Sequence, residues 1–359
     1  MLQGTLRAVS RGFVLCMFMA ATSLVTSAQS FVLDLPASSQ AAEVSQRIGL
    51  TEITIKYHRP LVNDRKIWGA LVPYGKVWRA GADENTTITF DDPVTIEGQP
   101  LAAGTYGLHM IPNADDWTII FSRNSTSWGS FTYDQAEDAL RVNVKPQPAD
   151  MHNALTYDFD KLQPDSAVVE LEWEKLAVPF KVSVDVHDVV LASLKKQLRT
   201  HARYTWLSWN DAALYLLAEK IALDQALAYA NESTENEDRF ENELTKSRIL
   251  MALDRKDEAA VAQKKALDFA TPLQAHSYAR QLQNEKRNDE AFAIFRDNAK
   301  KHPDQWFVHS DLARVYSAEG KFDEAVAEMK LASAAAPAAQ KSHLDDLVTQ
   351  LKAKQDINK

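Results

Sequence analysis

The spacing of apolar and polar positions changes period once along this chain. From Val44 the apolar residues alternate, with Ile53, Ile55 and Tyr57 set against Thr54 and Lys56, as in a strand with one buried face. Further short strands are predicted over residues 86–90, 94–96, 105–111, 117–122, 140–145, 155–159, 168–174 and 178–186. Turn formers stand between them, among them Asp91-Asp92-Pro93, Glu97-Gly98, Ala103-Gly104 and Gln163-Pro164-Asp165. Short strands at close spacing without helical periodicity predict an antiparallel β-sandwich or barrel-like domain over residues 44–187. Gly104 before Tyr106, and Gly107 inside a strand, predict a bulge or a close backbone approach.

Near His187 the period becomes that of helices and stays so. Val189, Leu191, Leu194 and Leu198 form one apolar stripe, followed by Ala213, Leu214, Leu217 and Ala218, then by Leu223, Ala226, Leu227 and Ala230. Residues 231–238, rich in Asn, Glu, Ser and Thr, are predicted as a loop. Pro272 and Pro303 fall where one helix pair hands over to the next. The fold class is therefore multidomain: an all-β domain followed by an all-α domain over residues 188–359.

Ahead of both, Arg7 and Arg11 precede an apolar run over residues 12–21, and Val25-Thr26-Ser27-Ala28 follows. This predicts a secretory signal peptide over residues 1–28 with cleavage after Ala28, too short to span a bilayer. A flexible leader, 29–43, comes next. The expected location is periplasmic or secreted, with no transmembrane segment in the mature chain. The one cysteine, Cys16, lies in the apolar run, so the mature chain has no thiol. Disulfides, cysteine nucleophiles, thiolate zinc and iron–sulfur clusters are thereby excluded. A net charge of −9, concentrated in the strand-rich half, argues against a nucleic-acid surface.

Candidate chemistry gathers in residues 57–85. Arg59, Arg65, Lys66, Lys76 and Arg79 supply cations there, and Asp64, Asp83 and Glu84 are available to pair with some of them. A guanidinium fork suits a carboxylate or phosphate ligand, and it suits equally well the pinning of a loop to its own sheet. Of the tryptophans, Trp173 sits in a clean alternation and is expected in the core. Trp128, within Ser127-Trp128-Gly129-Ser130-Phe131, is the surface candidate for stacking on a sugar or peptide. No serine elbow, zinc-protease helix, phosphate loop or calcium loop is present, so no cofactor and no metal is predicted and catalytic residues are unassigned. His58 and His109 are able to meet across strands as metal ligands or as a base, but nothing in their spacing requires it. A carboxylate pair for glycoside hydrolysis leaves no local trace.

Two resemblances add to this. In residues 306–337, Leu312, Ala313, Tyr316, Gly320, Ala325, Ala332 and Pro337 resemble a tetratricopeptide unit. Residues 272–303 resemble one more faintly through Ala279, Leu282, Ala291, Phe295 and Pro303, and residues 240–271 through Leu250, Ala259 and Ala266. The strand-rich part resembles a bacterial family of exported proteins designated domain of unknown function 2911. It does so through Tyr57, Arg59-Pro60, Arg65-Lys66-Ile67, Leu71-Val72-Pro73-Tyr74-Gly75, Val77-Trp78-Arg79, Gly81-Ala82, Glu84, Trp128-Gly129, Tyr133 and Arg141, over roughly residues 44–186.

That family resemblance implies no activity. The chain departs from it at His58, where a small polar residue is commoner, and at Asp83, where asparagine is expected. Arg59, Lys66, Trp78, Arg79 and Glu84 remain, with Trp128, as ligand-binding candidates. The leading expectation is a binding or assembly protein of the cell envelope, with a protein partner on the helical repeats and the 57–85 loop displayed by the β domain. The alternative is an envelope enzyme acting on a glycan or anionic small molecule at that loop.

Overall fold

The computed structural model describes residues 36–358. The predicted signal peptide, with Cys16, lies outside the described residues. Ten strands come first: β1 (Gln40–Ile48), β2 (Thr51–Arg59), β3 (Thr87–Phe90), β4 (Val94–Ile96), β5 (Gln99–Leu101), β6 (Gly104–Ile111), β7 (Trp117–Ser122), β8 (Asp138–Val144), β9 (Gln147–Gln163) and β10 (Ser166–Ser183). They form a six-stranded sheet in the order β1-β2-β3-β6-β7-β8 and a four-stranded sheet in the order β5-β4-β10-β9, with antiparallel pairing throughout. Ile53, Ile55, Ile88, Phe90, Leu108 and Phe121 on the first sheet and Val169, Leu171, Phe180 and Val182 on the second are buried in one shared core. The alternation in the sequence is the signature of this two-layer packing.

Two features of the strands differ from expectation. β1 begins at Gln40, within the segment expected to be a leader, and pairs with β2 from Gln40↔Arg59 to Ile48↔Thr51. As an edge strand it needs backbone partners more than an apolar face, so its Ser- and Ala-rich sequence hid it. Likewise β9 and β10 make one long hairpin where separate short strands were predicted. The pairing shifts register around Glu174, a residue with φ of 55°. A bulge of this kind bends a strand without ending it.

Residues 60–86 carry little regular structure but are firmly fixed. Trp68, 7% exposed, wedges edge-on between Trp117 and Trp173, at centroid distances of 4.9 and 5.7 Å, and Trp78 stacks on Trp173 at 6.0 Å. Aromatic pairs of this geometry add about 0.5–1.5 kcal/mol each beyond area burial. The backbone of Trp78 exchanges two 2.8 Å hydrogen bonds with Met110, so the loop extends the sheet past the start of β3.

Ten helices follow: α1 (Val186–Gln197), α2 (Trp206–Glu219), α3 (Leu223–Asn236), α4 (Phe240–Ala252), α5 (Lys256–Phe269), α6 (Pro272–Asn284), α7 (Asn288–Lys301), α8 (Trp306–Ala318), α9 (Phe322–Ala335) and α10 (Ala338–Lys352). α2/α3, α4/α5, α6/α7 and α8/α9 are successive pairs in a helical-repeat arrangement. Within them Ala259, Ala266, Ala279, Ala291, Ala313, Ala325 and Ala332 are buried, where short side chains let helices approach.

The loop predicted over 231–238 is mostly helix, since α3 runs to Asn236. Its polar side chains are satisfied in place: the buried Ser233 donates to the Trp206 carbonyl at 2.7 Å and accepts from Asn242 at 2.9 Å. No helix among the described residues is long and apolar enough to cross a membrane.

Gly107 on β6 meets the close-approach expectation. A Cβ there would lie 2.4 Å from the Asn124 carbonyl oxygen and 2.6 Å from Asn85 Nδ2. Gly107→Ala should therefore destabilise the protein by about 1–3 kcal/mol in urea denaturation, the usual range for overpacking. A substitution cost near zero would show that the Asn124 backbone yields freely.

Candidate functional site

The register of the six-stranded sheet sets the site. Lys56, Thr87, Gly107 and Ser122 lie side by side on its outer face, and His109, Ile120 and Arg141 form the next row. His58 and Asn85, each two residues along from this first row, reach the same end of the sheet. Two loops rise over it, residues 79–86 and residues 123–137.

The second loop is tied down by His109, which is 2% exposed. Its Nδ1 lies 2.9 Å from Ser130 Oγ, and the Tyr133 ring stands edge-on to it at 5.5 Å. The Tyr133 hydroxyl donates to Asp138 at 2.7 Å and in turn accepts from Arg141. Burial, with the hydrogen bond from Tyr133 to Asp138, pushes the tyrosine up to about 12. Burial also lowers the His109 pKa to about 4, against a smaller upward pull from Asp138. Ser130 and His109 are thus at nucleophile-to-base distance, but an imidazole this weakly basic is far from the near-neutral pKa that general-base work favours. The pair anchors the loop.

On the outer side of that loop, Trp128 and Phe131 stack at 6.0 Å and 14°, 61% and 79% exposed. The Arg79 guanidinium lies 6.0 Å from the Trp128 ring centroid, within cation–π range. The first loop contributes three buried polar atoms without hydrogen-bond partners, Arg79 Nε, Asp83 Oδ2 and Asn85 Oδ1. Leaving such atoms unpaired costs about 1–3 kcal/mol each, so their clustering in seven residues calls for an explanation.

Backbone strain accompanies them. Ala80 and Asp83 have φ of 52° and 55°. Ala80 is held there by its carbonyl, which accepts from the Tyr157 hydroxyl at 2.9 Å and from Thr86 Oγ1 at 3.3 Å. Asp83 occupies a conformation that short polar side chains tolerate, which is a backbone reason for aspartate or asparagine there. Beside the loop, His58 Nδ1 meets Glu84 at 3.1 Å, and a shallow cavity of about 490 Å³ opens between Glu43, Lys56, His58, Glu84, Asn85 and Thr87.

The six candidates from sequence therefore separate. Arg79, Glu84 and Trp128 stand around this face. Arg59 does not: its guanidinium donates to the Leu155 carbonyl at 2.9 Å and to Thr156 Oγ1 at 2.6 Å, pinning β2 to β9. Trp78 is half-buried in the tryptophan cluster with its indole N–H on the Gly81 carbonyl at 3.1 Å, so it is no open stacking wall. Lys66 is exposed in the 61–67 stretch and makes none of these contacts. His58 and His109 lie on the same face but take different partners. Among the described residues no group of three or more His, Asp and Glu is placed to hold a metal.

Asn85, Phe131, Tyr133, Asp138 and Arg141 were not among the ligand-binding candidates read from the sequence, although Tyr133 and Arg141 stand among the residues that carry the family resemblance. Asp138 carries no local motif, and the strand register brings it and Arg141 to His109. Phe131 was visible beside Trp128, as the second aromatic of the same short loop.

The family described as "Protein of unknown function (DUF2911)" matches residues 39–182, the strand-rich part that contains this face. Comparison with curated proteins finds no match. Among solved structures, the helical region has a neighbour in YrrB, described as "a TPR protein with an unusual peptide-binding site". The two share 14% identity over 46% of this chain and 86% of that one, with a TM-score of 0.29.

The pH dependence of stability should report on His109. Its folded pKa, about 4, lies below the ordinary value of 6.5, so protonation favours the unfolded chain. Its contribution is fully present above pH 6.5, is lost as pH falls from 6.5 towards 4, and levels off below, for a total of about 3 kcal/mol. His109→Gln should remove that component from the variant, so that the difference between wild-type and variant urea midpoints changes across pH 4–7. Parallel profiles would contradict a buried neutral imidazole.

Proposed function

We propose that this is an exported binding protein of the cell envelope, whose β domain holds a small polar ligand on the outer face of the six-stranded sheet and whose helical region holds a protein partner. Export is supported by the basic start, apolar run and small-residue exit of residues 1–28. The two units meet near residue 187, where strand periodicity gives way to helix.

The observation that carries the ligand reading is Arg79. It is half-buried, its Nε has no partner, and its guanidinium faces an exposed aromatic pair. A glycan suits this setting. Ring hydroxyls supply donors for Asp83 and Asn85, a hydroxyl or carboxylate oxygen accepts from Arg79, and the apolar face of a sugar ring lies on Trp128. A small anion without a flat face would use Arg79 alone. An envelope enzyme acting on the same ligand class is the alternative, favoured only by the Ser130–His109 contact and weakened by the low basicity of that imidazole.

A thermal-shift panel of oligosaccharides, acidic sugars, phosphorylated metabolites and organic acids tests this. A ligand at one hundred times its dissociation constant stabilises the folded form by about 2.7 kcal/mol. Arg79→Ala and Trp128→Ala should each weaken a hit by about tenfold or more, within the range of cation–π and charged hydrogen-bond contributions. A panel without any stabilising compound, or a hit indifferent to both substitutions, removes the ligand reading.

A further inference from the structure

The helical pairs share a turn device. Lys220, Asp254, Lys286 and Gly320, each just after a first helix, all take the left-handed conformation, with φ between 57° and 72°. Lys354 after α10 does the same, with φ of 56°. After the other four a second helix follows. After Lys354 comes a non-helical segment that runs onto the first helices α6 and α8.

That segment is held by specific polar contacts. Arg314 Nη1 donates to the Ile357 carbonyl at 3.0 Å, and Asn358 Nδ2 donates to the Arg314 carbonyl at 2.8 Å. Ser317 Oγ donates to Asp356 Oδ1 at 3.0 Å and accepts from the Ile357 N–H at 3.1 Å. Gln283 on α6 donates to Asn358 Oδ1 at 2.9 Å. Ile357 is 8% exposed and packs in the cluster that includes Ala313 and Leu344. Backbone and side chains of the segment are thus both read, as in peptide recognition.

We infer that residues 356–358 are an internal ligand, and that the α6/α8 face beneath them is a binding site for a short acidic-aliphatic-amide peptide carried by a partner. The occupant's chemistry is given by the segment itself: a carboxylate for Ser317, an aliphatic side chain for the apolar slot, and an amide for Gln283 and the Arg314 carbonyl. The charge of the face agrees. Arg280 and Arg314 repel one another, and each is balanced by Asp311, with Asp356 of the covering segment adding to the balance at Arg314. Asp311 is already engaged by His276 at 2.9 Å. Release breaks these contacts and withdraws Ile357, with the exposed stretch Lys352 to Gln355 as the hinge, and leaves α10 packed on α9. A partner's peptide then competes with an intramolecular occupant whose effective concentration is in the millimolar range, so the site is self-limited.

This inference rests on the reading of the helical region as partner-binding, and the experiment separates the two. A fluorescein-labelled peptide of residues 352–358 is titrated by anisotropy into residues 29–354 and into the full mature chain. The shortened chain should bind, and the full chain should bind at least tenfold more weakly. Ser317→Ala in the shortened chain, and an asparagine in place of the aspartate in the peptide, should each reduce binding several-fold. Absence of binding to a shortened chain that melts cooperatively, or equal affinity for both chains, overturns the inference. If the shortened chain does not fold, the full chain with Asp356→Asn and Ile357→Ala takes its place, with the same two outcomes. A released chain that ignores the peptide yet retains an envelope protein defeats the inference and leaves the partner reading standing; one that binds neither defeats both.

Discussion

Trp68 holds a segment without regular structure of its own against the end of a β-sandwich. Wedged among Trp78, Trp117 and Trp173, it fixes residues 60–86 in a path that the local sequence, broken by prolines and glycines, would not choose alone. Its Nε1, with those of Trp117 and Trp173, has no hydrogen-bond partner, and near-perpendicular rings offer only weak acceptance by aromatic faces. The cluster is therefore held by packing and tolerates a polar cost. What that cost secures is position. Trp78 is locked to Met110, Ala80 takes a left-handed conformation held by Tyr157 and Thr86, and the Arg79 guanidinium is set against Trp128.

Much of the fold was legible because packing imposes a period. Two-layer burial demands alternation, and Ile53, Ile55 and Tyr57 show it; helix pairing demands small residues at crossings, and Ala313, Ala325 and Ala332 show that. The repeats were clear only in the last unit for a physical reason. The left-handed turn there carries Gly320, whereas Lys220, Asp254 and Lys286 fill the equivalent turns and leave no glycine to find. β1 was hidden because pairing at a sheet edge is a backbone matter, and the end of α3 because Ser233 and Asn242 satisfy one another inside the helical region.

The site was legible as a region and not as a constellation. Arg59 and Arg79 are indistinguishable by composition, yet one meets backbone oxygen on β9 and the other an exposed indole. The path of the loop decides between them, and that path is set by tryptophans far apart in sequence. His109 shows the same limit, since its partners Ser130 and Tyr133 come from the next loop. In both domains the informative feature is a polar group whose partner is foreign to its own element. On the sheet face His109 is met by Ser130 of the next loop, and on α8 Ser317 and Arg314 are met by a segment folded back from beyond α10.

The most direct check is a crystal structure of the mature chain soaked with the best-binding oligosaccharide, at a resolution that places side-chain amides and ordered ligand. A sugar ring should lie on Trp128, with ligand oxygens within hydrogen-bond distance of the Arg79 guanidinium and the 79–86 loop shifted so that Asp83 and Asn85 reach the ligand. An Arg79 side chain paired internally with Asp83, with Asn85 satisfied by the loop and Trp128 bare, would contradict it.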